Sequence, residues 1–287
     1  MEMSSSSENT YIFDPENAAE MARLIEQARL ATKGMGGPLT GLPKLSAGAK
    51  VVDLCCGPGG WVLDVACERP DVEVVGVDIS RIMIEYANAC ARSQKITNAS
   101  FRVMNITQPF DFSDHSFDLV NARFLTGVLK RDAWKPFINE CTRILRPGGI
   151  LRLTEGNEFA ITLSPAYEEL TAMILQATWR MGYGFSSNGR TWAMSAALPY
   201  LLRQAGYQEI QIISYMTDCS AHTEYWAGYY HDIESMFLQV KPLLLAMGLV
   251  TEEAFEQLYR QTMIEVNSND FSCVSHAASV WGYAPGK

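Results

Sequence analysis

The chain has 287 residues, 23 Lys and Arg against 32 Asp and Glu, a formal charge of −9, and 48% hydrophobic residues. That length can bury a full core in one large domain, or one domain with a sizeable insert, and the negative balance argues against a nucleic-acid partner, which needs a basic face for phosphates. Without an apolar run of about twenty residues or a basic-then-apolar N-terminal segment, membrane insertion and secretion are not expected. Seven cysteines with no C-x-x-C pair read as reduced thiols, which implies a cytoplasmic protein.

In chain order, residues 1–8 (MEMSSSSE) are polar, and Asp14-Pro15-Glu16 then starts a helix, with an acid as cap and proline in the first turn. Its stripe of Ala18, Met21, Ala22, Leu24, Ile25 and Ala28 either covers the mouth of the domain C-terminal to it or packs on a sheet edge. Residues 34–48, rich in Gly, Pro and Leu, form a flexible connection. Lys50 to Leu54 is a buried parallel strand and Gly60 to Glu68 a helix, so VVDLCCGPGGW (51–61) is a strand, tight turn, helix junction. Glycines in such a turn let the backbone approach a ligand, and the helix N-terminus offers amide donors. A second strand, Val72 to Val77, ends in Asp78, where an acid suits ribose hydroxyls.

A helix capped by Ser80 runs to about Ser93, followed by a strand from Ala99 to Met104 and another from Phe117 to Ala122. His115, in the polar turn DFSDHSFD, is expected to be solvated. The helix Trp134 to Leu145 is stopped by Arg146-Pro147-Gly148-Gly149 before a fifth strand, Ile150 to Thr154. Beyond it the alternation breaks: a helix from Ser164 to Met181, a Gly/Ser-rich loop (182–190), a helix from Ala197 to Ala205 and a strand from Glu209 to Tyr215. Residues 218–272 are mostly helical, and a last strand spans Ala277 to Tyr283.

Alternating strands and helices call for an α/β, doubly wound, mostly parallel sheet, whose ligands bind beyond the carboxyl ends of its strands. Gly57, Asp78, Asn105, Asn121 to Phe124 and Glu155 all fall at those ends. A dinucleotide turn would need a third small residue where this chain has Trp61 and Val62, and Asp53 would crowd a pyrophosphate yet could accept from an amino-acid ammonium group. The loop therefore favours S-adenosylmethionine over NAD.

VVDLCCGPGG, VVGVDIS (74–80), FDLVNAR (117–123) and LRPGGILRLTE (145–155) occur in the order found in class I S-adenosylmethionine-dependent methyltransferases, which the region resembles. The resemblance implies a Rossmann-like, seven-stranded sheet with the last strand antiparallel. It also implies that Asp53, Cys55, Gly57 and Gly59 surround the methionine part, Asp78 binds the ribose, and Ile79, Asn105, Ile106 and Asn121 complete the cofactor site. Cys55 replaces the commonest first glycine of the loop, and Asn105 stands where the family usually has Asp. The chain then divides into an N-terminal helical cap (1–48), a cofactor-binding half (49–157) and a remainder (158–287) with helical lid insertions at about 158–192 and 218–272.

The sulfonium cofactor brings its own activation, so no metal site is expected and none of the H-E-x-x-H type is present. Glu155, just past the fifth strand, is the candidate base, with His222 and His231 in the aromatic insertion as further candidates. Trp179, Tyr183, Phe185, Trp192, Tyr225, Trp226, Tyr229 and Tyr230 could line a pocket for a small apolar or aromatic acceptor, although Tyr229 and Tyr230 cannot face the same way. The layout is similar to bacterial methyltransferases of secondary metabolism, with methyl transfer to O, N or C. A cyclase on the same pocket and a regulator without turnover are the alternatives, and the surplus aromatics leave room for a homo-oligomer.

Overall fold

The structure, a computed structural model, describes residues 10–286, so the polar segment 1–8 lies outside the described residues. Five strands, β1 (Lys50–Leu54), β2 (Glu73–Asp78), β3 (Ala99–Val103), β4 (Phe117–Arg123) and β5 (Leu145–Glu155), run parallel in the order β3-β2-β1-β4-β5. The sheet closes with β8 (Cys273–Tyr283), antiparallel between β5 and β7 (Gln208–Asp218), while β6 (Ile161–Thr162) adds two residues beside Val274 and Cys273. The mostly parallel sheet of seven long strands is thus the expected one, with β6 as an addition.

Alternation along β1 builds two cores. Val52 and Leu54 face a layer with Phe137, Ile138 and Leu198, from α4 (Trp134–Ile144) and α6 (Met194–Gln204). Val51 faces Trp61, Val65 and Ile84, from α2 (Gly60–Glu68) and α3 (Arg81–Ser93). A run apolar on both faces is what a central parallel strand requires. A third core joins α5 (Pro165–Arg180), α7 (Trp226–Ala246) and α8 (Glu252–Val266) through Tyr167, Ile174, Ile233, Phe237 and Phe255.

Several boundaries move for identifiable reasons. The first helix, α1 (Ala18–Gly34), starts after Asn17, whose side chain accepts from Ala19 N; Asp14 instead closes a turn by accepting from Glu16 N at 3.0 Å. Strand β5 begins at Leu145 because Leu145 pairs with Phe117, and the Arg-Pro-Gly-Gly turn is an irregularity inside the strand before Ile150 pairs with Leu119. His115 is not merely solvated: its Nδ1 lies 2.9 Å from Leu145 O. Residues 34–48 are pinned rather than loose, since Pro38 O accepts from Trp61 Nε1 at 2.9 Å and from Arg152 Nη2 at 2.7 Å. Strand β8 starts four residues earlier than Ala277, because its first part pairs along the lengthened β7 as far as Asp218↔Val274.

Gly59 caps α2 with φ +84°, and a Cβ there would lie 2.6 Å from Phe101 Cε1 and 2.8 Å from Ala87 Cβ. Gly59→Ala should therefore combine left-handed backbone strain with overpacking, together about 2–5 kcal/mol. Thermal unfolding checks this, with an expected fall in Tm of roughly 5–15 °C; an unchanged Tm would refute the packing role.

Candidate active site

The carboxyl ends of β1, β2, β4 and β5 open into a cavity of about 330 Å³, closed from above by α1, α5 and α7. Its walls include Asp53, Cys55 and Gly57 from the first turn, Asp78 and Ile79 from the second, Asn105 and Ile106 from the third, and Glu155 from the fifth. These eight candidates could meet one ligand only if sequence-distant strand ends converge, and here they do.

The turn after β1 is held by the acid of β2. Asp78 Oδ2 accepts from Gly57 N at 2.9 Å and Oδ1 from Ser80 N at 3.0 Å, while Gly57 itself adopts φ +53°. Burial raises the Asp78 pKa and the backbone donors oppose that rise, which leaves an acceptor largely out of bulk water and facing the cavity. Asp53, more deeply placed, is pushed up to about 6 by burial, against the pull of Arg123 and a 2.6 Å hydrogen bond from Asn121 Nδ2. Cys55 takes φ +57° where a glycine would be free of strain, and burial drives its thiol well above the usual range.

Other candidates are placed differently. Asn121 does not reach the cavity: it sits in the sheet, giving its N–H to Asp53 and accepting from Arg152 Nε at 2.7 Å. Gly59 is also outside, packed under α3 and β3. Both oxygen lone pairs of Asn105 are engaged, by Thr107 N at 2.9 Å and Thr107 Oγ1 at 2.8 Å. His222 and His231 do not line the cavity; His231 is exposed, with Nδ1 3.6 Å from Glu234 on the outer face of α7.

Glu155 is buried in the cavity wall with its pKa pushed up to about 7 by burial. Three donors hold it: Leu125 N at 2.6 Å on Oε1, with Thr126 N at 3.3 Å and Thr126 Oγ1 at 2.6 Å on Oε2. It ties β5 to the turn after β4, where Phe124 is left-handed at φ +59°. A fourth histidine, His276 of β8, also lines the cavity, and its ring has no hydrogen-bond or ionic partner among the described residues. Sequence reading missed it by starting the last strand at Ala277.

The far wall is aromatic and aliphatic: Phe13, Phe159, Ile174, Trp192, Ile233 and Met236. Of the eight aromatics expected there, Trp192 and Tyr229 line the cavity; Tyr230 is turned outward from buried Tyr229, as two successive helical residues must be. Tyr11, Arg23 and Asp232 complete that end, in a buried ion network joining α1 to α7.

Residues 51–149 match the family model of a methyltransferase domain. That stretch is a methyltransferase domain, and it resembles the class I S-adenosylmethionine-dependent methyltransferases. The chain is 30% identical over 138 residues to a demethylmenaquinone methyltransferase of Lactococcus lactis subsp. lactis (strain IL1403), covering 48% of this chain and 51% of that protein. The match thus spans about half the length of that curated relative. Among solved structures, geranyl diphosphate C-methyltransferase from Streptomyces coelicolor A3(2) superposes with a TM-score of 0.52 at 16% identity, covering 96% of this chain and 88% of that one. The [4+2]-cyclase SpnF gives 0.51 at 18% identity, covering 95% and 97%, so the shared fold extends over nearly the whole chain.

S-adenosylmethionine is the cofactor of this methyltransferase fold, and the residues present fit it. Asp78 offers an ionic acceptor at the tip of β2, Ile79 and Ile106 offer apolar faces for a flat base, and the Gly57 turn leaves room beside Asp53. Among the described residues no group of three or more His, Cys, Asp or Glu could hold a metal ion, and no helix is long and apolar enough to cross a membrane.

Proposed function

We propose that this chain transfers the methyl group of S-adenosylmethionine to a small, largely apolar or aromatic acceptor with an ionisable hydroxyl or an activated ring carbon. The carrying observation is the shape of one cavity, with polar strand ends on one side and Phe13, Phe159, Ile174, Trp192, Ile233 and Met236 on the other. A pocket with many apolar walls and few polar groups holds a ligand of that kind. At that end Arg23 is already paired with Asp232 and the walls also carry Glu155 and Glu158, which leaves little free cationic surface for a diphosphate-bearing acceptor. A reduced naphthoquinone-like ring suits the pocket, in keeping with the demethylmenaquinone methyltransferase activity named for the curated relatives.

The bound sulfonium supplies an activated methyl group, and the protein must align the acceptor behind it and keep water out. Transfer to a hydroxyl or ring carbon releases one proton. Glu155 already accepts from three donors, which leaves one lone-pair site, on Oε1, whereas the His276 ring has no hydrogen-bond partner among the described residues and lines the same cavity. We assign proton removal to His276 and the anchoring of Leu125 and Thr126 to Glu155. The lack of a nucleic-acid partner accords with the acidic composition.

The test is transfer of labelled methyl from the cofactor to a demethylated naphthoquinol under reducing conditions, with geranyl diphosphate as the anionic comparison. Label in the naphthoquinol, lowered about 100-fold or more by His276→Gln, is expected. Label in geranyl diphosphate alone would overturn the acceptor class, and full activity in His276→Gln would overturn the base.

A further inference from the structure

Arg123 is the last residue of β4 and lies on the cavity wall, yet neither the cofactor motifs nor the ion pairs of the fold account for it. Asp53 and Asn121 are opposite each other in the β1–β4 ladder, and Arg123 follows Asn121 by two residues, so the three side chains share one face of the sheet. Arg123 Nη1 donates to Thr32 Oγ1 of α1 at 3.1 Å. A guanidinium carries five N–H donors, and no other acceptor lies within hydrogen-bonding distance among the described residues. Burial lowers the Arg123 pKa while Asp53 and Asp64 oppose the fall, so the cation is poorly solvated and only partly compensated. Asp53 beside it is the converse, a buried carboxylate without a direct ion-pair contact. Neighbouring strand tips, about 5 Å apart, therefore present one buried anion and one half-buried cation to the same space.

We propose that Arg123 and Asp53 together receive the zwitterionic end of the cofactor, Arg123 taking the carboxylate and Asp53 the ammonium group. The inference rests on the cofactor reading above and adds a residue pair to it. Carboxylate and ammonium share one carbon in an α-amino acid, so only a receptor with opposite charges side by side satisfies both, and a bidentate guanidinium suits the carboxylate. Thr32 orients the guanidinium from α1, which ties the N-terminal helix to the occupied site. Arg123 is thereby a cofactor-binding residue, with Thr32 as its positioning residue.

The experiment is isothermal titration of the full chain with three probes: S-adenosylhomocysteine, its decarboxylated analogue S-adenosyl-3-thiopropylamine, and 5′-methylthioadenosine, which lacks the whole amino-acid end. Arg123→Gln should weaken S-adenosylhomocysteine roughly 10- to 100-fold and leave the other two probes as in the wild type. Thr32→Val should weaken S-adenosylhomocysteine by several-fold in the same selective pattern, and it carries the test if Arg123→Gln does not fold. Equal weakening of all three probes would overturn the proposal by showing a structural effect, as would unchanged S-adenosylhomocysteine affinity. A wild-type protein that bound none of the probes would overturn the cofactor reading itself, a result distinct from any loss of selectivity.

Discussion

Asp78→Ala should abolish useful cofactor affinity, weakening S-adenosylhomocysteine by about 1.5–3 kcal/mol, or roughly 10- to 150-fold, the usual loss for hydrogen bonds to a charged group. Two effects add. The ribose loses an ionic acceptor, and Gly57 N loses the oxygen that holds it at 2.9 Å, so the turn that must cradle the methionine end loosens. Asp78→Asn separates them, because an amide oxygen can still accept from Gly57 N but carries no charge; its loss should be the smaller. Titration calorimetry beside circular dichroism gives the answer. An Asp78→Ala protein that is folded and binds with wild-type affinity would mean that the ribose is not held at β2.

The parts of this site that were legible in sequence are those encoded locally. An apolar β-branched run, a glycine turn and an acid at the end of the next strand lie within 28 residues, and parallel pairing brings Leu54 opposite Val77. The two-sided burial of β1 followed from the same run, since Val51 and Val52 feed different cores. Arg123 stood inside a quoted motif, but a charged residue ending a strand has the same pattern whether it meets water or a cavity. His276 was hidden by the polar start of β8, where Ser275, His276 and Ala277 pair with β7 and border the cavity with little of the usual apolar alternation. His231 failed for a geometric reason: Tyr229 and Ile233 are buried, and a residue two positions from either points about 200° round the helix.

What no local pattern could carry is pairing across the chain, and the ion network between α1 and α7 is the main case. Glu20 and Arg23 of α1 look like an ordinary solvated pair one turn apart, yet both are buried. Arg23 Nη1 donates to Asp232 Oδ1 of α7 at 2.8 Å across a sequence separation of 209 residues, and Gln239 Nε2 donates to Glu20 Oε2 at 3.0 Å. Of the apolar stripe expected on α1, Ala18 and Ala22 are exposed and Met21, Leu24, Ile25 and Ala28 half-buried, because the helix docks through charge as much as through apolar contact.

Arg23→Leu should for that reason release the cap. The substitution leaves Glu20 and Asp232 facing each other without a cation, and breaking a buried pair in this way costs about 3–5 kcal/mol. The loss falls on the docking of α1, whose neighbours α2, α7 and β7 keep their own cores, so amide exchange across residues 18–34 should accelerate about 100-fold or more while β1 and β4 stay protected. Since α1 supplies Arg23, Leu24, Gln27, Ala28 and Ala31 to the cavity wall, the same change should open the acceptor site to water. The triple change Glu20→Leu, Arg23→Met, Asp232→Leu removes every charge of the triad and should restore slow exchange in α1, because an apolar replacement of a buried ion cluster is close to neutral or stabilising. Exchange in α1 that stays slow in Arg23→Leu would mean that apolar contact alone docks the cap; exchange that stays fast in the triple variant would mean that the charges also specify how it docks.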